Sequence, residues 1–254
     1  GSMVVGTRDV IWRARRALPP SRVPLMGLAA AFVFFAQMVN FPVAGGTSGH
    51  LLGGVLVAAL LGPAPAVVVM TCVLILQCFL FADGGVLALG TNILNMALVG
   101  TLGGWVVYRG ACHLLAGFAA TAGLRGRVAA MAFAGWVSTL LAATACAAEL
   151  AWSGMAVWRV VFPAMLGVHL LIGIGEGVIT AMVGAAVVRA RPELLREGVA
   201  ESSSAHRRLA AAGLGVTALL ALAVAPLAST WPDGLEQVAQ RLGFEHAATT
   251  GPLV

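Results

Sequence analysis

Val160–Val188 is a stretch of 29 residues with one charged side chain, Glu176. A membrane-spanning helix needs about 20 mostly apolar residues, and this stretch exceeds that. Six further apolar runs accompany it: Val23–Phe41, Leu51–Leu61, Ala64–Phe81, Val86–Val107, Val128–Ala151 and Leu209–Leu227. Leu51–Leu61 is short but unbroken and stops at the breaker pair Gly62-Pro63; keeping the Arg109 cluster on the same side as the other arginines requires it to cross, or to enter and exit with its neighbour's help. Only 10% of the 254 residues are charged, against about 25% in soluble domains. The mean hydropathy is +0.96. An ordinary soluble domain is excluded, and the predicted fold class is an all-α polytopic membrane protein.

The basic residues are all arginine, 15 against 10 acids. They stand in bunches between the apolar runs, without the interleaved aromatics of a nucleic-acid groove. With seven spans, 13 arginines fall on one side and two, Arg159 and Arg241, on the other. The positive-inside rule then places the N-terminus in the cytoplasm and the C-terminal tail outside. Pro42–His50, Ala82–Gly85 and Trp152–Arg159 join the tail on the outer side. The opening Gly1-Ser2-Met3 reads as an expression scar, followed by no cleavable signal peptide. Cys72, Cys78, Cys112 and Cys146 form no CxxC pair and read as soft apolar side chains.

Polar groups within such runs need partners, because an unsatisfied one costs several kcal/mol in lipid. Gln37 and Asn40 are three apart and share a helical face. The segment Gly45-Gly46-Thr47-Ser48-Gly49-His50 follows. Its glycines let it fold into the mouth of the bundle and present hydroxyls and one imidazole, or leave it as a flexible outer loop. Asn92 and Asn95, beside Thr91, either line a polar cavity or hold helices together. His169, Gly173, Glu176 and Thr180 form one stripe along the sixth run. That stripe suits a proton relay, a metal site or a structural pair. Glu149 near the end of the fifth run is assigned no role. Gly27 and Ala31 are spaced for close helix packing. No HExxH, GxSxG or phosphate-binding loop is present, so no nucleotide site is expected in this chain.

Several of these segments together resemble the CbiM/NikM family. They are Val23-Pro24-Leu25-Met26-Gly27, Asn40-Phe41-Pro42-Val43, Gly45-Gly46-Thr47-Ser48-Gly49-His50-Leu51-Leu52-Gly53-Gly54, Phe81-Ala82-Asp83-Gly84-Gly85, Thr91-Asn92-Ile93-Leu94-Asn95-Met96 and Gly173-Ile174-Gly175-Glu176-Gly177. Trp231-Pro232-Asp233-Gly234-Leu235-Glu236 resembles the PDGLE segment of the small N component of the same transporters. The resemblance implies a substrate-specific (S) component of a cobalt or nickel energy-coupling factor (ECF) transporter, an ABC importer, in the bacterial inner membrane. The transported ion would be Co²⁺ or Ni²⁺. The implied partners are a transmembrane coupling protein and two ATPase subunits within the lipid bilayer, with no nucleic acid. The implied architecture is a six-helix core plus one added C-terminal transmembrane helix. Its parts are a basic cytoplasmic segment 1–22, the core 23–189, a cytoplasmic linker 190–208 and a helix with its extracytoplasmic tail, 209–254.

The resemblance also assigns the ion to His50. Thr47 and Ser48 would shape its loop, and Asn40, Asn92 and Asn95 would support it. Gly27 and Ala31 would face the coupling protein. The family's other ligands come from a Met-His start, whereas this sequence opens Gly-Ser-Met-Val-Val; Asp83 and His246 are further donors on the outer side. Two other readings are kept: a docking subunit that binds no metal, and an intramembrane enzyme built on His169 and Glu176.

Overall fold

The computed structural model describes residues 23–44, 46–81, 83–118, 123–190, 211 and 213–245. The expected basic segment 1–22, nearly all of the linker 190–208 and His246 lie outside the described residues.

The chain enters the described structure as helix α1, Val23–Gln37, and turns into a hairpin of β1, Phe41–Val43, and β2, Thr47–Gly49. The strands pair antiparallel with Pro42 opposite Ser48. Helix α2, Gly54–Leu61, and helix α3, Pro63–Phe81, come next. A long rod then runs through α4, Gly85–Asn92, a π-helical stretch, Ile93–Gly103, and α5, Gly104–Phe118. Helices α6, Leu124–Trp152, and α7, Trp158–Ala190, form the most extensively packed pair. Helix α8, Gly213–Val224, precedes a short amphipathic helix α9, Gly234–Leu242.

Among the described residues four helical stretches are long and apolar enough to cross a membrane: Pro63–Phe81, Gly85–Leu115, Leu124–Trp152 and Trp158–Ala190. Large apolar side chains such as Phe79, Leu87, Val106 and Met182 stand on their outer surfaces, where a soluble protein would place charge. The all-α polytopic membrane fold agrees with the hydropathy.

Two apolar runs are corrected. The first is helical only to Gln37, so Asn40 does not share a helical face with it. Pro42 disfavours helix at the preceding residue, and the chain passes into the hairpin. The run Leu51–Leu61 is not one spanning helix: it leads from the hairpin through the non-helical Leu51–Gly53 and a short helix to the opposite end of α1, where Leu60 and Leu61 lie near Leu25 and Leu28. Its helical part, α2, has eight residues, about 12 Å of rise against a hydrocarbon core of about 30 Å. Gly53, with φ 79°, and Gly62, with φ 93°, break the chain at both ends of α2, in conformations other residues rarely adopt. Pro63 then starts α3 at the helical position that needs no N–H partner.

Helix α2 lies inside the protein, with Val55, Leu56, Val57, Ala58 and Leu61 all buried. Close approach of backbones makes room for it. A Cβ on Gly54 would collide with Thr101 of the π-helical stretch, and one on Gly104 with Val55. The same device joins α6 to α7, where a Cβ on Gly177 would stand 2.6 Å from the Ala132 carbonyl oxygen.

One apolar cluster positions the site. Ala143 and Ala147 of α6 and Val161, Met165, Val168 and Ile172 of α7 pack around Val238 of α9. Phe41 and Val43 of the hairpin and Ala156 of the α6–α7 turn border the same cluster. Hairpin, turn and tail therefore share one end of the bundle.

Candidate metal-binding loop

The segment 47–53 carries the site. Thr47–Gly49 is strand and His50–Gly53 is irregular, non-helical backbone within the bundle, which needs partners for its N–H and C=O groups. Glu176, fully buried on α7, supplies two of them. Its Oε2 accepts the Leu52 N–H at 2.5 Å and its Oε1 accepts the Gly53 N–H at 3.0 Å. Thr180, one turn along, donates its hydroxyl to Oε1 at 3.4 Å. From the other side Gln37 of α1 donates its amide to the Leu52 carbonyl at 2.8 Å. Glu176 thus takes the place of an anion at the broken N-terminal end of α2, where the helix dipole favours negative charge.

The tail clamps the opposite flank. Ser48 Oγ donates to the Trp231 carbonyl at 2.7 Å, and the Ser48 N–H donates to the Pro232 carbonyl at 2.8 Å. Thr47 Oγ1 donates to the Pro232 carbonyl at 3.1 Å, and the Ser229 N–H to the Asn40 carbonyl at 2.7 Å. A capping box holds the tail helix: Asp233 Oδ1 accepts the Glu236 N–H, and Glu236 Oε2 accepts the Asp233 N–H.

Between these clamps His50 is half-buried. Its Nδ1–H donates to the Leu51 carbonyl at 3.2 Å. That bond selects the tautomer with the lone pair on Nε2, which has no partner among the described residues, the arrangement of a metal-ligating imidazole. His50 is close enough to interact electrostatically with His169 and Glu176, and His169 with Asp233. Among the described residues no three His, Cys, Asp or Glu side chains converge as a ready-made metal cage.

The other candidates are dispersed. Thr47 and Ser48 are buried in the loop and hold the tail. Asn40 meets the tail through its backbone. Asn92 turns toward Gly84, where a Cβ would stand 2.6 Å from its amide nitrogen. Asn95 is buried and donates to Glu149 Oε2 at 2.8 Å. Thr91 bonds back to the Ala88 carbonyl. Neither asparagine bonds the His50 loop among the described residues. Asp83 is exposed, and its N–H donates to the Gln77 carbonyl. Gly27 lies on an open face, with nothing within 4 Å of where a Cβ would be, and Ala31 is half-buried. His169 and Glu176 do not pair with each other. His169 Nδ1–H donates to the Met165 carbonyl at 2.7 Å, while Glu176 serves Leu52 and Gly53. The sequence reading left Glu149 without a role and did not foresee the Glu176 bonds or the tail clamp. Glu176 did announce itself as a lone carboxylate in an apolar run.

The fold and the loop define a polytopic membrane protein with a half-buried histidine held on broken backbone inside the bundle. Residues 2–194 match the model of the CbiM family, the cobalt uptake substrate-specific transmembrane region. The chain belongs to this family. It is 38% identical over 224 residues to a protein of Archaeoglobus fulgidus that bears the name fused nickel transport protein NikMN, covering 87% of this chain and 71% of the relative. It is 31% identical over 255 residues to the cobalt transport protein CbiM of Geobacter sulfurreducens, covering 96% and 72%. A crystal structure of a truncated transition metal transporter superposes with a TM-score of 0.60 at 32% identity, covering 74% of this chain and 90% of that one. The fused name fits a C-terminal N-type segment like the one carried here. Family and relatives are metal transport proteins, not enzymes, which removes the reading of His169 and Glu176 as catalytic.

Proposed function

We propose that this chain is the ion-capturing subunit of an ECF-type importer for Co²⁺ or Ni²⁺. It takes the ion at His50 on the outer side of a bacterial inner membrane and releases it inward. A transmembrane coupling protein and two ATPase subunits supply the energy. The observation that carries this reading is the placement of His50. It sits on a segment pinned by Glu176 and Gln37 on one flank and by the tail on the other, with no partner for Nε2 among the described residues. Imidazole nitrogen suits both Ni²⁺ and Co²⁺.

Residues 23–189 form the S-component core in this reading, flanked by the basic segment 1–22 and the linker 190–208, both cytoplasmic. Residues 209–254 are the fused N-type helix and its extracytoplasmic tail. Thr47 and Ser48 position the loop through the tail; Asn40, Asn92 and Asn95 stabilise the backbone and helices around it. The open face of α1 at Gly27 and Ala31 receives the coupling protein.

The test is uptake of radioactive nickel or cobalt by cells making the assembled transporter. His50→Ala is expected to abolish energised accumulation. Unchanged uptake would overturn the assignment. A second reading rests on one observation: no three ligating side chains converge among the described residues. The chain would then dock without holding metal, and the purified protein would bind neither ion.

A further inference from the structure

Glu149 stands on α6, three residues before its end at Trp152, and is half-buried. Opposite it lies Asn95, buried on the π-helical stretch. Asn95 Nδ2–H donates to Glu149 Oε2 at 2.8 Å. The other oxygen of each group, Asn95 Oδ1 and Glu149 Oε1, is buried and has no hydrogen-bond partner among the described residues. Both are acceptors when the carboxyl is ionised, so the pair lacks one donor. Buried polar atoms without partners are rare, and each asks for a reason. An ionisable side chain among apolar spanning helices is a functional candidate by default.

The backbone at Asn95 is itself unusual. Ile93–Gly103 is π-helical over 11 residues, a conformation that occurs mostly as short bulges, often at functional sites. The same stretch touches the His50 loop. A Cβ on Gly100 would stand 3.0 Å from Leu52 Cδ2 and 3.2 Å from the Asn95 carbonyl oxygen.

One proton answers both unpartnered oxygens. Placed on Glu149 Oε1, it makes that atom a donor to Asn95 Oδ1 and removes the charge. Amide and acid are then joined by a ring of two hydrogen bonds. A metal cation would need several more oxygens, and the remaining unpartnered side-chain atoms, Gln37 Oε1 and Thr217 Oγ1, stand on α1 and α8. The titratable neighbour of Glu149 on its own helix is Cys146, one turn back, with Asp233 of the tail beyond that thiol. The π-helical stretch and α2 contain no ionisable residue. Helix α5 meets α6 at Ala134 and Ser138, so its Tyr108, Arg109, Cys112 and His113 lie further from Glu149. On α7, Arg159 is exposed, His169 bonds Met165, and Glu176 serves Leu52 and Gly53.

We propose that Asn95 and Glu149 form a proton-binding site, in which Glu149 carries the proton on Oε1 and donates it to Asn95 Oδ1. The half-buried Glu149 exchanges that proton with water at the end of the bundle shared by hairpin and tail. The neutral pair fastens the π-helical stretch, and with it one wall of the His50 loop, to α6. Loss of the proton leaves two acceptors without a donor and loosens the join. The inference does not require His50 to be an ion ligand.

The test is infrared spectroscopy of the purified full chain in detergent at neutral pH. A protonated carboxyl has a C=O band separate from the carboxylate bands, and the band shifts in heavy water. Glu149→Gln should lose one such band, and Asn95→Ala should shift the same band, because the acid loses its partner. Glu149→Gln should keep the wild-type thermal midpoint, since its amide donates to Asn95 Oδ1 as the acid does. Glu149→Ala should lower the midpoint by at least about 3 °C. Loss of carboxylate bands in place of an acid band in Glu149→Gln would overturn the proposal and leave a water or a cation between the two oxygens. An acid band indifferent to Asn95→Ala would overturn it as well, as would a Glu149→Gln midpoint as low as that of Glu149→Ala.

Discussion

The Glu176 carboxylate accepts the backbone N–H of Leu52 at 2.5 Å, across 124 positions of sequence. The bond joins the long helix α7 to the break at which an apolar run gives up being a helix. A charge that looks misplaced in a 29-residue apolar stretch is the partner for backbone that lipid could not satisfy.

Glu176→Ala removes that partner and leaves the Leu52 and Gly53 N–H groups buried without acceptors. Each orphaned donor costs about 1–3 kcal/mol. The expected outcome is a clearly lower thermal midpoint in detergent and loss of Ni²⁺ binding. Glu176→Gln keeps the shape but turns one acceptor into a donor facing a donor, so its midpoint should fall between those of the wild type and Glu176→Ala. Equal midpoints for all three would show that the bonds contribute nothing.

Gly177 and Gly27 make a contrasting pair. A Cβ at 177 meets the Ala132 carbonyl at 2.6 Å, whereas one at 27 meets nothing within 4 Å. Gly177→Ala should cost about 1–3 kcal/mol as overpacking between α6 and α7. Gly27→Leu should leave the purified chain as stable as the wild type but reduce co-purification of the coupling protein. Full recovery of the complex with Gly27→Leu would move the docking face elsewhere.

The tail clamp is measurable on its own. Ser48→Ala removes the Oγ bond to Trp231, and Asp233→Ala removes the helix cap; each should cost about 1 kcal/mol. Hydrogen exchange of residues 234–242 should speed up in both variants while α6 is unaffected. Unchanged protection in both variants would show that Val238 packing alone holds the tail.

The sequence and the structure agree where a long apolar run stands alone. Pro63–Phe81, Leu124–Trp152 and Trp158–Ala190 were legible because length and hydropathy are local properties. Leu51–Leu61 was not, because its apolar character reflects burial in protein rather than in lipid, and hydropathy does not separate the two. The glycine loop before His50 was recognisable as irregular, and Gly62-Pro63 as a break. Nothing local indicates that Ser48 meets Trp231 or that Leu52 meets Glu176, since both partners lie more than 100 residues away. His50 was singled out by its motif, and the structure adds which of its nitrogens is free. Asn92 and Asn95 looked like cavity residues by spacing. Asn95 instead meets Glu149, a partner that spacing does not reveal.

The most direct measurement is calorimetric titration of the purified chain with Ni²⁺ and Co²⁺, with His50→Ala beside it at matched thermal stability. The account predicts one ion bound per chain and no measurable binding in the variant. Equal binding by the wild type and His50→Ala would contradict it, because the nitrogen held free between the Glu176 and tail clamps would then have no part in holding the ion.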